Sequence, residues 1–413
     1  MYEFAVIWDW LSFAVRWVHI ITAIAWIGSS FYFIALDLGL RKVEGLPDGV
    51  HGEEWQVHGG GFYRIQKYMV APAKMPDHLI WFKYESYATW LSGFALLAIV
   101  YYAGADIFLV DPTVLDVTPG TAVLISLASI GVGWVIYDLL CKSTFGEDNT
   151  RLMIFLYFVL VAMAWGYTQV FTGRAAFVHL GAFTATIMSA NVFFLIIPNQ
   201  KIVVDDLVAG RTPDPKYGAV AKQRSTHNNY LTLPIIFLML ANHYPLAFAT
   251  QYNWVIASLV FLMGVTIRHY FNTKHARAGD PTWTWIATTF LFIAIMWLST
   301  LGPKATDEAE KAAMTPHEQR FASASHFAEV KELVQGRCIM CHAQEPGFEG
   351  FITAPKNVKF ETDAQIARLA REIYLQAGRS RAMPPPAVAR DGIELSTQER
   401  RLLVKWYEGA VKG

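Results

Sequence analysis

Two cysteines and a histidine near the C-terminus form a C-x-x-C-H sequence, Cys338-Ile339-Met340-Cys341-His342. In this spacing the two thiols bind the vinyl groups of a haem covalently, and the histidine coordinates the haem iron. A thioredoxin-like disulfide would want a βαβ context, and a zinc site would need two further ligands, which this region lacks. The motif therefore predicts one covalently attached haem c.

Met383, in the sequence Ala-Met-Pro-Pro-Pro, is the predicted second axial ligand of this haem. The prolines favour an extended loop that could lie against the haem face. The competing methionines are Met314, before the domain begins, and Met340, inside the attachment motif. His/Met ligation raises the haem potential and fills both axial positions, which suits electron transfer and not oxygen binding.

Apolar residues dominate the 413-residue composition: 54% are hydrophobic and only 16% are charged. An average soluble domain has about 25% charged residues, so disorder is excluded and a wholly soluble fold is disfavoured. Lys+Arg and Asp+Glu both number 34, so no net charge attracts nucleic acid. With three cysteines, two of them in one motif, a disulfide scaffold is also excluded.

Long apolar segments fill the chain up to Leu301 and then stop. We therefore predict an all-α fold, a polytopic transmembrane bundle of about eight helices over residues 1–301. A linker at 302–316 follows, and amphipathic helices at both ends of residues 317–413 predict a soluble, cytochrome c-type helical domain. The predicted spans are 11–38, 78–103, 121–141, 151–173, 175–197, 227–250, 253–275 and 282–301.

Basic residues are concentrated in alternate loops, which predicts the orientation of the bundle because short cytoplasmic loops collect Lys and Arg. The loops after the first, third, fifth and seventh spans are basic, whereas the loop from Gly104 to Gly120 carries three aspartates and no basic residue. Both termini are therefore predicted to face the periplasm of a bacterial inner membrane. Haem c attachment takes place on that side, which agrees with this orientation.

Histidines occur at two depths of the predicted bundle, as bis-histidine haem b sites would require. Electrons from a substrate oxidised on the cytoplasmic side would have to cross about 30 Å of hydrocarbon. His19 and His179 are the predicted pair for an outer haem b. Membrane histidines also bond across helices, line water cavities or lie at the headgroup boundary, and spacing alone leaves these alternatives open.

Three further polar residues are candidates for chemistry on a substrate. Glu85, near the start of the second predicted span, is a candidate general base or proton relay, with a salt bridge to Lys83 or Arg268 as the alternative. Arg64 and Gln66 follow a glycine run and could bind a planar anion. The alternative for that stretch is a basic loop on anionic headgroups.

Several segments of the chain resemble the bacterial urate hydroxylases, which are membrane-integral urate oxidases fused to cytochrome c. The resemblance spans nearly the whole chain, and the bundle segments are more specific than the C-x-x-C-H motif. It is carried by the runs Trp17-Val18-His19-Ile20, Trp26-Ile27-Gly28-Ser29-Ser30-Phe31, His58-Gly59-Gly60-Gly61-Phe62-Tyr63, Trp90-Leu91-Ser92-Gly93-Phe94 and Arg337-Cys338-Ile339-Met340-Cys341-His342.

The resemblance implies oxidation of urate to 5-hydroxyisourate in purine degradation. Electrons would pass to the protein's own haem c and not directly to oxygen, so no hydrogen peroxide would form. A soluble cytochrome or a terminal oxidase would then accept them, and water would supply the added oxygen. Two other classes remain open: a membrane electron carrier fed by quinol or a partner, and a transporter with an attached redox sensor.

Overall fold

The computed structural model describes residues 2–72, 75–112, 114–301, 314–348, 354–385 and 393–412. Up to Leu301 these residues form a helical bundle with one β-hairpin. From Met314 onward they form a smaller helical unit, which we call the tail. Residues 302–313 of the predicted linker lie outside the described residues, and Pro316 already begins the first tail helix.

Two helices of the bundle continue directly into a π-helical turn, at Leu97–Tyr102 and at Asn191–Ile196. The helices in chain order are α1 (Tyr2–Gly39), α2 (Tyr84–Leu96), α3 (Ala105–Phe108), α4 (Pro119–Lys142), α5 (Asn149–Thr168), α6 (Gly173–Ala190), α7 (Ile197–Val208), α8 (Pro215–Ala241), α9 (Pro245–Phe248), α10 (Asn253–His275) and α11 (Trp283–Thr300).

Short polar side chains begin four of the long helices because they accept hydrogen bonds from backbone N–H groups that have no partner in the first turn. Thr118 caps α4 and Thr172 caps α6. Asp148 caps α5 and Asp214 caps α8. The boundaries of these helices are therefore determined locally, whereas their packing depends on the rest of the bundle.

Six of the eight predicted spans are confirmed as helices long and apolar enough to cross a membrane. The segments predicted at 78–103 and 227–250 do not meet that description within the described residues. Both contain helices, but α2 begins only at Tyr84, and α8 begins at Pro215 and ends at Ala241. Residues 198–226 were predicted to connect two spans. They consist largely of α7 and the first half of α8.

The prediction of an all-α bundle is wrong at one place, where two antiparallel strands form a hairpin. β1 (Val50–His58) and β2 (Gly61–Tyr68) are joined by Gly59 and Gly60, whose φ angles are +58° and +80°. Two positive φ angles match the type I′ turn, whose twist suits a tight hairpin. The glycine run therefore forms a tight turn between two strands.

The hairpin is attached to the C-terminal end of α1. Tyr32 donates a hydrogen bond to Gln56 across 2.9 Å, and Lys67 pairs with Asp37 at 2.7 Å. The opposite end of α1 approaches the tail, where Asp9 pairs with Arg371 at 3.7 Å. One helix thus contacts both the hairpin and the tail.

Helix α6 packs in the centre of the bundle, against α4, α5 and α8. Most of its side chains are buried, including Phe183, which is 2% exposed. The ring of Phe183 occupies the space in which a Cβ atom on Gly133 would lie. A glycine at this position allows α4 and α6 to approach closely.

The tail folds around its own apolar core, which includes Phe321, Val330, Tyr374, Leu403 and Trp406. Its helices are α12 (Pro316–Ala322), α13 (Phe327–Arg337), α14 (Asp363–Arg368), α15 (Ala370–Ile373) and α16 (Thr397–Lys412), with a π-helical turn at Tyr374–Arg379. The two amphipathic helices predicted for this region are confirmed as α13 and α16.

Replacement of Gly133 by Ala should destabilise the bundle by about 1–3 kcal/mol because the new methyl group overpacks the Phe183 ring. Gly131→Ala is the matched control, since a Cβ on Gly131 of the same helix meets nothing within 4 Å. Thermal unfolding of both variants in detergent measures the difference. Equal midpoints for the two variants would contradict the close approach of α4 and α6.

Candidate functional site

A cavity of about 950 Å³ lies between the tail and one end of the bundle. The predicted haem c ligands all line it: Cys338, Cys341, His342 and Met383. Most of the other tail residues around it are apolar, among them Phe360 and Leu403. Apolar walls with a few convergent polar groups are typical of a cofactor site.

The C-x-x-C-H motif continues the end of α13 as further helical turns. Cys338 N donates to Val334 O over 2.8 Å, and His342 N donates to Cys338 O over 2.9 Å. This backbone holds both sulfur atoms and the imidazole at the cavity wall. The arrangement places two thiols and a histidine on one surface, as covalent haem attachment requires.

Burial raises the pKa of the Cys338 thiol to about 12 and also raises the pKa of Cys341. Catalytic and redox-active cysteines have the opposite property, since their thiolates are stabilised and their pKa values are lowered. The surroundings of the motif therefore disfavour the thioredoxin-like alternative.

The imidazole of His342 is oriented by a hydrogen bond between its Nδ1 and Val358 O, at 2.9 Å. A carbonyl partner makes Nδ1 the protonated nitrogen, which leaves Nε2 with a lone pair for a metal. The Phe360 ring packs beside the imidazole, with ring centroids 5.2 Å apart. His342 is thus held in the tautomer that an iron ligand needs.

Met383 lies after the π-helical turn of the tail and is fixed through its backbone. Its N–H donates to Gln376 O over 3.0 Å, and its carbonyl accepts from Arg400 over 3.1 Å. Met383 lines the cavity together with Pro384 and Pro385, whereas the competing Met314 and Met340 do not line it. The structure therefore favours Met383 among the three methionines.

Residues of the bundle close the cavity on the side opposite the tail. Trp8, Asp9 and Arg16 come from the first turns of α1, and Phe108 and Arg174 come from the same end of the bundle. Haem carries two propionates, and Arg side chains bind carboxylates well. The cavity contains arginines from both units, so the residues present fit a haem that would be held by the tail and enclosed by the bundle.

His19 and His179 contact different residues of the bundle. His19 Nδ1 bonds Thr89 O at 3.0 Å, close to Ser92 of the same helix. His179 is fully buried, and its ring packs 4.6 Å from Phe171. The two rings share none of their described contacts, and neither lines the haem cavity. An outer haem b at this pair stays a prediction.

Arg64 and Gln66 both bond a buried carboxylate of the hairpin. Arg64 Nε lies 2.6 Å from Glu53 Oε2, and Gln66 donates to the same oxygen over 3.2 Å. These two donors hold the pKa of Glu53 below its ordinary value. The contacts give both side chains a structural role, and their binding of substrate stays a prediction.

Glu53→Gln should loosen the hairpin at neutral pH, because it mimics the protonated carboxyl. A lowered pKa means that the ionised form is stabilised in the fold. The ionised form contributes its full stability above the unfolded pKa, and this is lost as the pH falls through the folded one. Hydrogen exchange of residues 50–68 should be faster in the variant. The exposed Glu44→Gln is the control, and equal exchange in both variants would contradict the pairing.

Glu85 lies in the first turn of α2, and its Oε2 is buried without a hydrogen-bond partner. The next residue, Ser86, meets Ser189 of α6, with 3.1 Å between their hydroxyl oxygens. Within the described part of the chain, Glu85 pairs with neither of its alternative partners: Lys83 lies over the Tyr84 ring, and Arg268 bonds Asn229. Glu85 is therefore near the C-terminal end of α6, where a second group of polar residues begins.

This second group, which we call the inner cluster, consists of Tyr137, Asn191, Arg224, His227 and Asn228, and each is less than 10% exposed. Sequence reasoning missed it as a site, although Asn191 and His227 were visible as polar residues inside apolar segments. The first half of α8 was taken for a loop because of its polarity. Only the fold shows that this polar helix is buried.

Met383→Ala should lower the reduction potential of the bound haem, because a thioether ligand raises it. Met340→Ala is the matched control, since Met340 is 43% exposed and does not line the cavity. Spectroelectrochemical titration of both variants measures the potentials. A parental potential in Met383→Ala would exclude this residue as the axial ligand.

Comparison with protein families identifies the bundle. The family model described as Urate oxidase N-terminal matches residues 5–299, which is more than half of the chain. The chain therefore belongs to this family and is a urate-oxidase-related oxidoreductase. No curated protein and no solved structure matches it significantly. The match ends before the tail, so the C-x-x-C-H motif lies outside the matched residues.

Proposed function

We propose that this member of the Urate oxidase N-terminal family converts urate to 5-hydroxyisourate in purine catabolism and passes the electrons to its own haem c. Hydrogen peroxide would not form, because oxygen is not the direct acceptor. The observation that carries the proposal is the cavity shared between the two units. It joins residues of the family-matched bundle to all four proposed haem ligands.

The overall reaction requires water and an electron acceptor. Urate and water give 5-hydroxyisourate, two protons and two electrons, with the new oxygen bonded at C5. When bound, haem c would supply one-electron acceptance for the two electrons released in each turnover. Cys338 and Cys341 would bind the haem covalently, while His342 and Met383 would hold its iron.

The protons need a base in the bundle. Glu85 is our candidate, because its Oε2 is buried and has no hydrogen-bond partner among the described residues. A carboxylate in that state can accept a proton from an attacking water, provided that water and substrate reach it. The next residue, Ser86, meets Ser189 of α6, two positions before Asn191 of the inner cluster.

We place the protein in the bacterial inner membrane, with the tail in the periplasm. The tail meets the end of the bundle that carries the start of α1 and residues Gly104 and Asp106. These belong to the parts for which the loop charges predict a periplasmic location. In that orientation a soluble cytochrome or a terminal oxidase would re-oxidise the tail.

Urate added anaerobically to the oxidised protein should reduce the c-type absorbance band, with dithionite as the endpoint. A Cys338→Ala/Cys341→Ala variant, which cannot bind haem covalently, should show no such band. Reduction of the haem by a quinol but not by urate would overturn the proposal and identify a respiratory electron carrier. A second, b-type band in the reduced spectrum would show a haem in the bundle.

A further inference from the structure

The inner cluster brings together side chains from three separate segments of the bundle. Tyr137 comes from the last turns of α4, Asn191 begins the π-helical turn after α6, and Arg224, His227 and Asn228 come from α8. A π-helical turn inserts an extra residue into a helix and is frequent at functional sites. Here it turns an amide toward two neighbouring helices.

Hydrogen bonds connect the members of the cluster through the Tyr137 hydroxyl. This hydroxyl lies 2.8 Å from His227 Nδ1 and accepts a bond of 3.1 Å from Asn191 Nδ2. The same amide donates to Asn228 Oδ1 over 3.1 Å. The guanidinium carbon of Arg224 lies 4.9 Å from the centre of the Tyr137 ring. These contacts hold the side chains in fixed orientations before any ligand binds.

Several polar atoms of this network are buried and have no hydrogen-bond partner among the residues that the structure describes. They are Asn191 Oδ1, His227 Nε2, and Nε and Nη1 of Arg224. Each such atom costs about 1–3 kcal/mol, and more when the group is charged. Folded proteins leave few buried polar groups unpaired, so a concentration of them indicates a polar ligand or ordered water.

The charges of the cluster favour an anion. Arg224 Nη2 lies 2.8 Å from Asp138 Oδ1, but Asp138 also pairs through its other oxygen with Lys142 at 2.6 Å. One carboxylate is thus shared by two cations. The Lys142 side chain is 60% exposed and is solvated, whereas Arg224 is 1% exposed, so water does not balance the part of its charge that the shared carboxylate leaves. A ligand that brings a negative charge would complete the neutralisation.

The unpaired atoms also define the shape and polarity of the ligand. The unpaired Nε and Nη1 groups of Arg224 can each donate a hydrogen bond to an oxygen atom of an anion. Asn191 Oδ1 can accept from a ring N–H, and His227 Nε2 can accept or donate according to its tautomer. The urate monoanion carries all of these groups on one plane: carbonyl oxygens, ring N–H groups and a delocalised negative charge.

We propose that the inner cluster is the urate-binding site, with Arg224 as the anion partner and Asn191 and His227 as hydrogen-bonding residues. This inference rests on the proposed function, because it takes its substrate from there. It goes beyond that function by giving urate a binding site inside the bundle, on side chains that the haem cavity does not include.

Binding can be measured without turnover by anaerobic equilibrium dialysis of labelled urate against full-length protein whose haem has been reduced with ascorbate. Arg224→Met should weaken binding at least tenfold, as expected for a lost charged hydrogen bond. Lys222→Met is the matched control, because it removes a positive charge from an exposed position on the same helix. The control should bind urate as the parent does.

Arg224→Met leaves the buried Asp138 paired only with Lys142 among the described residues, so a second variant separates a folding defect from a loss of urate binding. The double variant Asp138→Asn/Arg224→Met removes both charges and should retain the haem spectrum while still losing urate affinity. Arg224→Lys keeps the charge but removes the planar pair of donors, and should bind with intermediate affinity.

The outcomes separate this inference from the proposed function. If urate reduces the haem of the parent but all Arg224 variants bind urate with parental affinity, the inner cluster is not the site, while the function stands. If the parent is neither reduced by urate nor binds it, the proposed function fails and the inference with it. Displacement of urate by chloride at matched ionic strength would show that the site binds simple anions without selecting urate. That result would overturn the assignment.

Discussion

The cost of burying polar groups in an apolar bundle is the constraint on which most of this structure depends. A polar side chain among hydrocarbon needs a partner, because an unpaired one costs several kcal/mol when nothing compensates it. Helix α8 carries arginine, histidine and asparagine side chains, and it is buried between α6, α7 and α10. Arg268 and Asn272 of α10 meet Asn229 of α8 through hydrogen bonds of 2.9–3.2 Å. The polar groups therefore determine which helices can be neighbours.

Besides the contacts between α8 and α10, the described residues contain two further regions with polar groups, and aromatic side chains lie between them. One region is the cavity between bundle and tail, and the other is the inner cluster. Aromatic rings occupy the interval: His179 lies 5.8 Å from Tyr101 and 5.9 Å from Tyr167, which lies 6.5 Å from Phe183. At the cavity end, Tyr101 belongs to the same π-helical turn as Ile99 and Val100, which line the cavity. At the other end, Phe183 packs on Gly133, one helical turn before Tyr137 of the inner cluster. Electrons from a substrate in the inner cluster would traverse these aromatic side chains.

The sequence was sufficient to predict features that depend on local pattern. The C-x-x-C-H spacing and Met383 were recognisable from their own neighbours, and these residues do line one cavity. Six apolar spans could be located from hydropathy because each is long and nearly uniform. The resemblance of the bundle segments to urate oxidases also agrees with the family match over residues 5–299.

Features that depend on distant partners could not be predicted in this way. The role of Arg64 depends on Glu53 in the opposite strand, and the hairpin depends on pairing that no hydropathy average detects. Likewise, the predicted span at 227–250 missed the first half of α8, because the average hydropathy of that half is low. Its burial follows from bonds to Tyr137, Asp138 and Asn191, which lie on other helices.

The length of α1 has a further consequence. Its 38 residues extend about 57 Å, well beyond a hydrocarbon core of about 30 Å, so α1 acts as a rigid spacer between the hairpin and the tail. The first turns supply Trp8, Asp9 and Arg16 to the cavity wall. Inserting one residue after Arg16 would rotate that wall by about 100° and raise it by about 1.5 Å. An exchange of exposed side chains on α1 therefore leaves this wall in place, whereas an insertion or deletion within the helix displaces it.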